Sequence, residues 1–119
     1  METVNLADKF SSFSDRWSPK IIGELNDFHV KAVKLQGEFV WHHHEREDEL
    51  FLVTKGTLRM KFQDREAIVR EGEFIIGPHG VEHLPVAEKE VHVVLFEPKS
   101  TLNTGNIVNE RTVAQLQRI

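Results

Sequence analysis

The chain contains no cysteine and no tyrosine in 119 residues. Without cysteine there can be no disulfide and no thiolate metal site, and the composition leans toward a reducing, cytoplasmic home. Long apolar runs are also missing. The longest, such as Val91 to Phe96 with His92 inside it, is far too short to span a bilayer, so no membrane partner is expected. Met1 to Phe10 carries Glu2, Asp8 and Lys9, a pattern unlike a signal peptide. The 15 basic residues form no dense cluster and the net charge is −4, which gives no reason to expect a nucleic-acid partner. No internal repeat is visible, and the length suits one core, so a single domain over residues 1–119 is expected.

Histidine, in contrast, is plentiful and placed unevenly. One segment runs Gly37-Glu38-Phe39-Val40-Trp41-His42-His43-His44 through an acidic stretch to Glu49 and on to Gly56. A second runs from Gly72 through Pro78 and Gly80 to His83. Side chains two apart on a strand share a face, so a strand over Glu38–His44 would point His42 and His44 one way and His43 the other. An antiparallel strand returning after a charged turn would bring Glu49 back beside them. With His83 added from elsewhere, His42, His44, Glu49 and His83 make a ligand set for one divalent transition metal: Zn, Mn, Fe, Ni or Co. Imidazoles with one carboxylate suit such ions better than Mg or Ca, which prefer mostly oxygen.

The remaining chain reads as short strands separated by turn signals, the texture of an all-β sandwich or barrel. Expected strands are Ile21–Leu25, Phe28–Leu35, Glu38–His44, Glu49–Thr54, Thr57–Gln63, Glu66–Arg70, Glu73–Ile76, Glu82–Val86 and Val91–Glu97. The last is apolar on both faces apart from His92, so it should be central or covered by another subunit. Before the strands, Leu6, Phe10, Phe13 and Trp17 have helical spacing, with Asn5 as cap and Ser18-Pro19 as stop. An N-terminal helix or arm over residues 1–19 is expected. Beyond the barrel at residues 20–98, Thr112 and Gln115 have capping-box spacing above a stripe of Val113, Leu116 and Ile119. A short helix or arm over residues 99–119 is expected there.

The two histidine segments resemble the motifs of the cupin superfamily, in the manner of small single-domain members. His42, His44, Glu49 and Gly56 match the first motif, with Gly37 one residue nearer the first histidine than usual. Gly72, Pro78, Gly80 and His83 match the second with every spacing kept, and Ala87 stands where asparagine is frequent. The match covers about residues 37 to 87. The resemblance implies a double-stranded β-helix, or jelly-roll barrel, with short helical segments at both ends. It also implies that His42, His44, Glu49 and His83 are the metal ligands inside the barrel, and that two such chains form a homodimer. The missing tyrosine and cysteine remove the thiol dioxygenase type, and the missing cysteines remove the disulfide-bearing germin type. Members of this superfamily range from isomerases, epimerases and dioxygenases to storage proteins and sensors, so the fold alone does not choose a reaction.

Three functions follow from these residues. One is a metalloenzyme acting on a small organic molecule, of isomerase, epimerase or dioxygenase type. Another is a non-catalytic sensor or carrier of a small molecule or metal, and a cavity with no titratable group beyond the ligands would favour it. The third is a barrel that has lost its metal, which four intact ligands argue against. No catalytic residue is singled out. Glu47 and Asp48 read as an acidic turn rather than a base. His79 reads as a turn residue, His92 as a core or pocket histidine, and His29 as structural or exposed. Trp41 is expected in the core or at a dimer contact. Phe39, Phe51, Phe74 and Phe96 are core candidates, and some of them, with Met60 and Leu84, would narrow the cavity.

Overall fold

The computed structural model describes residues 1–119. A short helix, α1 (Leu6–Ser11), precedes the strands β1 (Lys20–Leu25), β2 (Phe28–Glu38), β3 (Glu49–Lys55) and β4 (Thr57–Phe62). These are followed by β5 (Glu66–Arg70), β6 (Phe74–Gly77), β7 (His83–Pro98) and β8 (Gln117–Arg118). The architecture turns on β7. One side of it pairs antiparallel with β2 from Phe28↔Pro98 to Glu38↔Val86. The other side pairs with β4 at its N-terminal end and with β3 at its C-terminal end. β6 then pairs with β3, β5 with β4, and β8 runs parallel to β1.

The two strands expected at Glu82–Val86 and Val91–Glu97 are thus one. The charged run Glu88-Lys89-Glu90 sits on its more accessible stretch and does not break it. As expected for a stretch apolar on both faces, Val91 to Phe96 is central. Between β3 and β4 the chain turns at Gly56, whose φ is +89°. A Cβ there would lie 3.1 Å from the Glu90 carbonyl, so only glycine is free of both strain and crowding.

Alternation along the strands separates two apolar layers. Val33, Leu35, Phe51, Val53, Val91, Val93 and Leu95 point inward and join Leu58, Met60 and Val69 in the main core. On the outer face, Ile22, Ala32 and Val94 are covered by Phe10 of α1, with Phe13 and Ile119 alongside. Further along this face, Leu50, Leu52 and Phe96 are half-buried, while Phe74 and Ile76 are 58% and 52% exposed. Phe74 is therefore not a core residue. Its register opposite Leu52 in the β3–β6 pair places it on the outer surface. Phe96 also points outward, stacked on Phe28 with ring centroids 5.0 Å apart.

Three expected elements differ. First, α1 has the predicted cap, Asn5 Oδ1 accepting from the Asp8 N–H at 3.0 Å, but it ends at Ser11 instead of continuing to Trp17. The hydroxyls of Ser11 and Ser12 donate to the Asp8 and Lys9 carbonyls, the competition by which serine ends helices. Second, Glu38–His44 is not a strand: β2 stops at Glu38, and only His42 makes a bridge, to His83. The partner chain there contains Pro85, which has no N–H with which to continue a ladder. Third, residues 99–119 contain no helix. Thr112 Oγ1 accepts from the Asn109 N–H and bonds Thr104 Oγ1, so its hydroxyl serves a tertiary turn and not a helix cap.

Candidate metal centre

The four residues with metal-ligand spacing come together from three places. His42 and His44 lie on the irregular segment after β2, Glu49 opens β3 and His83 opens β7. All four are buried, with one ligand-type atom from each within 4.8 Å of the others. His42 and His83 exchange both backbone hydrogen bonds, at 3.1 and 2.9 Å, which holds their rings 4.3 Å apart between centroids. This antiparallel bridge joins the two histidine segments.

Tautomers are set by the backbone. His42 Nδ1 donates to the Val40 carbonyl at 2.8 Å and His83 Nδ1 to the Val81 carbonyl at 3.0 Å. A carbonyl only accepts, so each Nδ1 carries the proton and each Nε2 is left with a free lone pair. The fit to a metal is visible in what the other polar atoms lack. His44 Nε2, Glu49 Oε1 and His83 Nε2 are buried without an aligned hydrogen bond, although His44 Nε2 and Glu49 Oε1 are only 2.7 Å apart. Buried polar atoms ordinarily find partners, and these converge on one point with donors of the kind a transition metal takes.

Charge in the cluster follows from burial and crowding. Burial, aided by the nearby His83, pushes the His42 pKa down to about 4, so it stays neutral at ordinary pH. Burial also acts to lower His83, but the Glu49 carboxylate outweighs it and raises the value. Glu49 itself would be raised by burial. The side chains of Glu97, His44 and His83 reverse this and hold it well below the usual carboxylate range.

Glu97, at the inward end of β7, was not read from the sequence as a site residue. Its carboxyl lines the same cavity as that of Glu49, and its Oε2 is buried without a hydrogen-bond partner. Burial and the charge of Glu49 push Glu97 well above the usual range. Behind it lies Lys31 on β2, whose Nζ donates to Glu97 Oε1 at 2.6 Å, both side chains being 2% exposed. A signal did exist: Lys31 shares a strand face with Val33 and Leu35, and Glu97 with Val93 and Leu95. A charged residue on an inward face of an apolar strand requires a partner inside.

A cavity opens beside the cluster. Its apolar wall includes Trp17, Phe39, Phe51, Pro85 and Leu95, and its polar groups are His42, Glu49, Glu97 and Asn103. Free space is small, about 40 Å³, room for a few water-sized groups. Trp17 and Phe39 stack at 4.7 Å with nearly parallel rings. Of the side chains expected to narrow the cavity, Phe39 and Phe51 line it, whereas Met60 belongs to the main core.

The other histidines lie apart. His43 turns outward, between Glu82 at 2.9 Å and Glu45 at 2.7 Å, and those two carboxylates raise its pKa. His79 Nδ1 donates to Asp48 Oδ1 at 2.7 Å on the surface. His92 stacks on Phe10 at 4.6 Å on the outer face, and His29 is 3.8 Å from Glu24. Glu47 accepts from the Ser100 hydroxyl, and Trp41 is 39% exposed, so it is not a core residue. Its segment is held by the His42–His83 bridge and not by a pleated strand, so no sheet face buries it.

The fold has known relatives. Residues 30–97 match the cupin domain, and the chain belongs to the cupin family, with its jelly-roll β fold. A cupin-2 domain containing protein from Shewanella frigidimarina superposes with a TM-score of 0.81 at 45% identity, over 82% of this chain and 95% of that one. Protein NMB1881 from Neisseria meningitidis does so with a TM-score of 0.76 at 32% identity, over 82% and 100%. The uncharacterized protein YdbB of Bacillus subtilis is 34% identical over 87 residues, 64% of this chain and 77% of its own. No helix of the chain is long and apolar enough to cross a membrane.

Proposed function

We propose that this cupin is a metalloenzyme acting on a small organic molecule, with one divalent transition metal held by His42, His44, Glu49 and His83. The observation that carries the reading is the convergence of these four buried donors within 4.8 Å, two of them with Nδ1 already committed to backbone carbonyls. Four protein ligands leave an octahedral ion with open positions, where it supplies Lewis acidity to a bound oxygen.

Glu97 favours catalysis over simple binding. The cavity contains a carboxyl beyond the ligands, Glu97, buried and raised in pKa by burial and by the charge of Glu49, which is the kind of group used as a general acid or base. Proton transfer of the isomerase or epimerase type suits it better than dioxygenation does. With so little space at the metal, only a small polar end of the substrate reaches it. The apolar remainder rests against Trp17 and Phe39.

Elemental analysis of tag-free protein, with a His42→Ala/His83→Ala double variant, tests the site. Near one equivalent of a transition metal in the wild type, lost in the variant, is expected. No metal in the wild type after reloading would defeat the reading. Turnover of candidate substrates by wild type but not by Glu97→Gln, at equal metal content, tests the catalytic part. Equal turnover would favour a sensor or carrier.

A cytoplasmic homodimer completes the proposal. The outer face around Phe74, Ile76, Leu50 and Leu52 is the apolar surface a second copy would cover. Light scattering is expected to show a dimer that Phe74→Ser with Ile76→Ser converts to a monomer.

A further inference from the structure

The segment that carries His42 and His44 is not a strand, so something other than a ladder must hold it. The C-terminal residues 101–113 lie directly over it. The Asn106 side chain accepts from the His43 N–H at 2.9 Å, and the Asn106 N–H donates to the His43 carbonyl at 3.0 Å. This pair of hydrogen bonds falls on the residue between the two ligand histidines. Next to it, Gly105 has φ +57°, and a Cβ there would lie 2.2 Å from the His43 carbonyl oxygen and 3.1 Å from His42 Cδ2. Backbone therefore meets backbone at a distance that leaves no room for a side chain.

The other end of the segment is gripped as well. Arg111 donates to the Glu38 carbonyl at 2.8 Å, with its guanidinium 5.8 Å from the Trp17 ring and 5.7 Å from the Phe39 ring. Asn103, which reaches the cavity, ties the strap together: its side chain donates to the Arg111 carbonyl and accepts from the Val113 N–H, both at 2.8 Å. Thr104, fully buried, bonds Thr112 at 2.7 Å.

We infer that this C-terminal strap positions the metal ligands, with Gly105 and Asn106 as positioning residues that fix His42 and His44 through the backbone of His43. The inference rests on the metal reading above. It means that the site is completed by residues far along the chain from the histidines, and that metal affinity depends on residues that touch no metal.

Cobalt(II) is the probe, because its visible absorption reports ligand geometry while competition with a chromophoric chelator reports affinity. Asn106→Ala is expected to weaken cobalt binding roughly tenfold or more, the usual size of an orienting contact behind a ligand, and to alter the absorption bands. Asn106→Asp keeps an acceptor for the His43 N–H and is expected to restore the bands. Gly105→Ala is expected to have the larger effect. If it fails to fold, the Asn106 pair still decides. A lowered Tm with unchanged affinity and bands would show a merely structural role and overturn the inference while leaving the metal site standing. Wild-type protein that binds no cobalt would overturn the metal reading and this inference together.

Discussion

Two neighbouring regions of this protein are built from the same residue types. Inside the barrel, His42, His44 and His83 surround Glu49. A few residues away on the surface, His43 sits between Glu45 and Glu82, and His79 beside Asp48. In the surface group every imidazole and carboxylate is paired and open to water, where such contacts contribute little to stability. In the buried group the donors are desolvated, crowded and incompletely satisfied, with His42 pushed down to about 4. Histidine and glutamate alone do not make a metal centre. Burial that leaves lone pairs without partners is what makes the inner group a candidate for one.

Removing equal numbers of histidines from each region should separate the two most strongly. His42→Ala with His83→Ala should abolish stoichiometric metal binding, whereas His43→Ala with His79→Ala should retain it, both read by elemental analysis. Equal loss from the two pairs would mean that the regions share the metal.

The ion pair beneath the buried group should show the next largest effect. Lys31→Met leaves Glu97 beside Glu49 with no cation, and breaking a buried pair from one side costs about 3–5 kcal/mol. Urea denaturation should show that loss, and adding Glu97→Leu should recover most of it. A single variant as stable as wild type would mean that water reaches the pair.

Acid should separate the regions further. His42 is held below its ordinary value of 6.5, so the unfolded chain binds its proton more readily than the folded one. Its contribution to stability is present above about pH 6.5 and is lost as pH falls toward about 4 in metal-free protein. His43 runs the other way: its raised pKa adds stability below 6.5 that fades as pH rises through its folded value. Bound metal, for which protons compete, should be released below about pH 6. Full metal retention after dialysis at about pH 5 would contradict a three-histidine site. The smallest effect belongs to the surface alone: His43→Ala should leave the urea unfolding midpoint close to that of the wild type.

The two histidine segments were legible because their glycines, proline and ligands keep fixed spacings, and local turns enforce those spacings whatever the rest of the chain does. Most strands were legible from alternation and turn residues. Glu38–His44 was misread because Pro85, the residue that interrupts its pairing, lies far along the chain. Of the helix or arm expected over residues 99–119, the helix fails because Thr112 spends its hydroxyl on Asn109 and Thr104, leaving none for a helix cap.

The sequence by itself determined the family, the β architecture and the four donors that converge, since each depends on residue type and short-range spacing. Tertiary structure alone decided that Glu97 stands beside Glu49 with Lys31 behind it. It also decided that the ligand loop is held by a strap from the far end of the chain. Both are contacts between residues more than sixty positions apart, Lys31 with Glu97 and His43 with Asn106. Burial and backbone geometry that create such contacts exist only once the strands have paired and packed on one another.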